Sequence, residues 1–63
     1  MREEEIALLL VKGLTNREIA NNLFLTEGTV KNYISTIYSK IGTRSRAEAV
    51  LVLNDFFNFR DLR

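Results

Sequence analysis

The chain has 63 residues, a net charge of +1 and 46% hydrophobic residues, so it holds one domain at most and has enough apolar side chains for a core. It contains no cysteine and no histidine, which excludes disulfides and thiolate metal sites and removes the commonest general base and metal ligand.

The first predicted helix covers about residues 2–12, REEEIALLLVK. Its acids lie in the first turn, where the helix dipole favours them, and Gly13 suits its C-terminal end. TNRE at 15–18 reads as a capping box, Thr15 with Glu18, opening a short helix over about 16–22. That helix carries Ile19 and Ala20 on one side, with Leu23 just beyond. Thr26 caps a third helix over about 27–41, with Glu27 in its first turn and Gly42 at its end. SRAE at 45–48 is a second capping box, followed by a fourth helix over about 46–57. The tail NFRDLR has no clear period.

Four helices with short connections predict an all-α fold, a compact four-helix bundle forming a single domain over 1–63. Very few residues separate the second helix from the third. Such a tight connection fits a helix-turn-helix, whose second helix enters the major groove of DNA. The first helix starts with almost nothing before it to act as a cap, so a domain excised from a longer protein is expected.

On the third helix, successive residues advance about 100°. Val30, Ile34, Ile37 and Ile41 then form one apolar stripe. Gly28, Asn32, Ser35 and Ser39 occupy the opposite side, flanked by Thr29, Lys31 and Thr36. An ordinary solvated face would use better helix formers. Small polar residues instead let a backbone approach base edges. Asn32 can bond an adenine edge bidentately, Ser35 and Thr36 can donate or accept, and Lys31 can reach guanine or a phosphate. Thr26 and Thr29 at the helix start can hold a phosphate, and Thr15, Asn16 and Arg17 can do so at the start of the second helix. Charge supports this. Residues 28–47 carry Lys31, Lys40, Arg44 and Arg46 and no acid, while the flanking segments are net acidic. A localised basic stretch suits a polyanion, and Lys40 is expected to join the backbone contacts.

On the fourth helix, Ala49, Val50, Leu53 and Phe57 suit the core. Leu51 and Val52 point away from them, near Glu48 and Asp55, and suggest a homodimer surface. Alternatively, the tail with Phe59 and Leu62 folds back to cover them.

Catalysis is not expected. Glu3, Glu4 and Glu5 fan around a helix with no second reactive group. No cofactor or metal is implied. No apolar run approaches the roughly 20 residues that span a bilayer, and the acidic start is unlike a signal peptide, so a cytoplasmic protein without membrane contact is expected. The competing class is a protein-interaction module in which the third helix docks on another protein.

Residues 13–50 resemble the DNA-binding domain of LuxR-type transcription factors. That family's pattern runs G-[LY]-[ST]-N-x-E-I-A, then [ST]-x-x-T-V-K-x-H, then K-[LI]-x-V-x-[SN]-R-x-x-A-V, and the spacing is kept here without gaps. Tyr33 stands where the family usually has His, and Thr43 where it usually has Val. Tyr33 can still reach a phosphate with its hydroxyl. The family's opening Leu-Thr is absent, in line with a trimmed start. The resemblance implies base contacts from Lys31, Asn32 and Ser35, and pairing through the fourth helix on repeated half-sites of double-stranded DNA. It also implies transcription regulation, most often as the output domain of a two-component response regulator behind an N-terminal receiver. A ligand-sensing or stand-alone regulator is the alternative.

Overall fold

Why each helix starts and stops where it does can be read from how its free backbone groups are satisfied. The computed structural model describes residues 2–61, with side chains described through Asn58. The elements are α1 (Arg2–Val11), α2 (Asn16–Leu23), α3 (Glu27–Ile41) and α4 (Arg46–Asp61). Among the described residues there is no strand, and the fold is all-α.

α1 ends in a turn around Gly13, whose φ of 90° favours glycine. There the Leu14 N–H donates back to the Leu9 carbonyl at 3.2 Å. α2 opens with the complete capping box. The Glu18 N–H donates to Thr15 Oγ1 at 3.1 Å, and the Thr15 N–H donates to Glu18 Oε1 at 2.8 Å. α3 is capped by Thr26, whose Oγ1 accepts from the Thr29 N–H at 3.1 Å, and it stops at Gly42 with φ 75°. Ser45 Oγ accepts from the Glu48 N–H at 3.1 Å and opens α4.

α4 runs past Phe57 to Asp61, further than the aperiodic tail suggested. NFRD contains neither Gly nor Pro to break the backbone pattern, so the helix continues without an amphipathic signal. The expected cover by Phe59 and Leu62 lies outside the described side chains.

One apolar cluster joins all four helices. It contains Ile6, Ala7 and Leu10 of α1, Ile19 and Ala20 of α2, Val30, Ile34 and Ile37 of α3, and Leu53 of α4. Ile6, Leu10, Ile19 and Val30 are wholly buried, each contributing roughly 1.5–3 kcal/mol against exposure. α3 packs mainly on α2 and α1, while α4 packs mainly on α1. The side of α3 opposite the stripe is therefore left in solvent. Ile41, the last residue of that stripe, is only half-buried at the cluster's edge.

The turn from α2 to α3 has a feature that the sequence did not announce. Phe24 ends α2 in the left-handed region, with φ 58°, and its ring is 95% exposed. Leu25 follows, half-buried against the core, with its N–H on the Ala20 carbonyl at 2.9 Å.

Candidate nucleic-acid interface

The burial of Val30, Ile34 and Ile37 fixes the rotation of α3, and that rotation decides what its outer face presents. Gly28, Lys31, Asn32, Ser35, Thr36 and Ser39 are exposed. Arg17, Lys31, Asn32 and Ser35 make no side-chain hydrogen bond or ion pair with any described residue. These side chains face solvent with their donors and acceptors free.

Gly28 has no reason to be glycine inside the chain. A Cβ built there would lie 3.9 Å from Thr26 Oγ1, an ordinary contact. Glycine is a poorer helix former than alanine, and nothing within the chain requires it here.

The hydroxyls at the helix starts are part of the caps. Thr26 Oγ1 accepts from the Thr29 N–H and donates to Thr29 Oγ1 at 2.9 Å. Thr15 is held in its box with Glu18. Thr36 Oγ1 donates back to the Asn32 carbonyl at 3.2 Å. Thr15, Thr26 and Thr36 are exposed; Thr29 and Tyr33 are half-buried on the flank of α3 that faces α1. Thr15, Thr26 and Thr36 are thus already oriented by bonds within the chain.

Two of the four cations counted toward the basic stretch are engaged internally. Arg46 donates from Nη1 to Asn16 Oδ1 at 2.8 Å and from Nη2 to the Leu14 carbonyl. Its guanidinium therefore binds the segment before α2. Asn16 keeps its amide N–H₂ for an outside acceptor while its oxygen is taken. Lys40 donates to Glu3 Oε1 of α1 at 2.8 Å. Charge summed along the sequence could not separate free cations from paired ones. For Arg46 the one signal was its fixed place in the Ser-Arg pair of the family pattern.

On α4, Glu48, Leu51, Val52 and Asp55 are all exposed, at a spacing that puts them on one face. Leu51 is 68% exposed. Phe56, one helical turn after Val52, extends this apolar surface; it packs edge-on to Phe57 with ring centroids 5.4 Å apart. Among the described residues, no helix is long and apolar enough to cross a membrane.

The family model for GerE, bacterial regulatory proteins of the luxR family, matches residues 1–53. The chain is 50% identical over 50 residues to the transcriptional regulatory protein LnrK of Bacillus subtilis, covering 79% of this chain and 23% of that protein. It is 46% identical over 52 residues to the spore germination protein GerE of the same organism, covering 82% of this chain and 70% of GerE. To the response regulator protein VraR of Staphylococcus aureus it is 46% identical over 50 residues, covering 79% of this chain and 24% of VraR. The chain thus spans about a quarter of the length of LnrK and VraR.

Proposed function

The chain belongs to the luxR family of bacterial regulatory proteins and is a helix-turn-helix domain for DNA-binding transcription regulation, and from that premise we propose that α3 reads the major groove with Lys31, Asn32 and Ser35. Thr15, Asn16, Arg17, Thr26, Thr29, Tyr33 and Thr36 flank that face and take the phosphates. The observation that supports this assignment is the exposed small-polar face of α3, whose reading side chains are uncommitted while its rear is locked into the core. An N-cap hydroxyl and a free helix start beside it suit a phosphate.

The domain works in the cytoplasm, as the output end of a response regulator whose receiver regulates it. The names of relatives such as the response regulator VraR support that role. Two copies pair through Glu48, Leu51, Val52 and Asp55 of α4. Pairing places two α3 helices on half-sites about 34–36 Å apart, which raises affinity beyond that of one small module.

The test is titration of the domain onto operator DNA selected from a random duplex pool, at two salt concentrations. A steep fall in affinity with salt is expected from phosphate contacts. Lys31→Ala and Asn32→Ala are expected to remove sequence preference, each base contact being worth roughly 1–3 kcal/mol, while the circular dichroism spectrum stays unchanged. Salt-insensitive binding, or unchanged preference in both variants, would favour a protein-docking role for α3.

A further inference from the structure

With α3 reading a duplex, the flank it turns toward α1 borders the phosphate path, and the role of Glu3 rests on that reading. On this flank lies a shallow groove of about 180 Å³, lined by Glu3, Thr29, Asn32, Tyr33 and Thr36. Asn32 belongs both to this groove and to the outer face. Glu3 therefore places a carboxylate among the hydroxyls that border the proposed phosphate path. Its Oε1 accepts from Lys40 Nζ at 2.8 Å, and the two sides of the pair differ: the Glu3 side chain is 30% exposed and that of Lys40 62%. Glu3 lines this groove, whereas Lys40 meets it from the neighbouring groove between α1, α3 and α4, which both residues line with Ile37, Ile41 and Leu53, its flexible stem leaving the ammonium largely in solvent.

We propose that Glu3 sets the affinity of the interface by holding Lys40 in an internal ion pair that competes with DNA phosphate. An exposed pair of this kind is weak and readily exchanged. While it stands, Lys40 adds no net positive charge, so its approach to DNA releases no counterion. When Lys40 turns to a phosphate, Glu3 is left unpaired beside the same backbone and opposes binding. Sequence-independent attraction is thereby held down, and occupancy depends on what Lys31, Asn32 and Ser35 read. Glu5 is the natural control. It sits on α1 but pairs with Arg2 at 3.3 Å, and it does not line the groove.

The experiment is fluorescence anisotropy on a mixed-sequence duplex two helical turns long, across a salt series. The parent, Glu3→Gln, Lys40→Gln, the double variant and Glu5→Gln are compared. Glu3→Gln is expected to bind roughly three- to tenfold tighter at low salt, with a salt slope steeper by about 0.9, the value for one extra phosphate. The double variant is expected to return to the parent slope. Glu5→Gln is expected to gain clearly less than Glu3→Gln. An unchanged Glu3→Gln, an equal gain from Glu5→Gln, or a double variant that keeps the steep slope overturns the proposal. Should a variant lose its fold, the carbon-13 shift of the Glu3 carboxylate in the parent decides: it stays near its DNA-free value on adding duplex if the pair withholds Lys40, and a signal that moves to that of an unpaired carboxylate overturns the proposal. If the parent itself shows no salt-dependent duplex binding, the reading of α3 falls first, and the role of Glu3 falls with it.

Discussion

Arg46 donates to Asn16 Oδ1 at 2.8 Å, across 30 residues of sequence, and the same guanidinium holds the Leu14 carbonyl. The start of α4 is thus tied to the start of α2, so the proposed pairing helix and one proposed phosphate grip share a side chain. Replacing Arg46 with Met should leave the Leu14 carbonyl and Asn16 oxygen without their charged donor. A loss of about 2 kcal/mol is expected in urea unfolding, in the range of charge-assisted bonds. Arg46→Lys should recover only part of it, because one ammonium does not reproduce a planar fork. Full recovery by Lys would show that charge, not the fork, holds the two helix starts together.

Gly28 offers a prediction in which stability and function move in opposite directions. Its φ is not in the left-handed region, and a Cβ there meets only Thr26 Oγ1 at 3.9 Å. Gly28→Ala should therefore stabilise the domain by about 0.5 kcal/mol, less than in a helix interior because Gly28 lies in the first turn. The same methyl should weaken operator binding if the duplex approaches this point. Higher thermal stability with undiminished operator affinity would show that DNA stays clear of Gly28.

Thr43 is 7% exposed, and its Oγ1 is buried without a hydrogen-bond partner. Valine has nearly the same shape and no polar atom to desolvate. Thr43→Val is expected to stabilise by about 1 kcal/mol, which for a domain this size raises the melting temperature by roughly 4–8 °C. Differential scanning calorimetry gives the answer, and a lower melting temperature would mean the hydroxyl has a partner in solution.

Phe24 holds φ 58° with its ring 95% exposed, so it has backbone strain and almost no burial to offset it. An L-residue in this region costs about 1–2 kcal/mol. Glycine avoids that strain but makes the unfolded chain more flexible, an opposing effect of about 0.4–1 kcal/mol. Phe24→Gly should stabilise by about 0.8 kcal/mol, the difference between the midpoints of those two effects. Phe24→Ala keeps the Cβ and should change stability little. Equal gains from both would place the cost in the exposed ring and not in the backbone.

The sequence by itself determined the four helices, save the far end of α4, and the rotation of α3. Thr15, Glu18 and Thr26 cap through atoms within three residues of one another, so their bonds follow from spacing alone. Val30, Ile34 and Ile37 recur at the helical period, and burying them turns Lys31, Asn32 and Ser35 outward. What only the tertiary structure decided was which charges remain free. Lys40 meets Glu3 across 37 residues, and Arg46 meets Leu14 across 32; no local period encodes such distances. The left-handed Phe24 and the orphaned hydroxyl of Thr43 were hidden for the same reason. Packing of the whole bundle fixes the α2–α3 turn and closes over residue 43, and each site accepts a residue that its local chemistry alone would not choose.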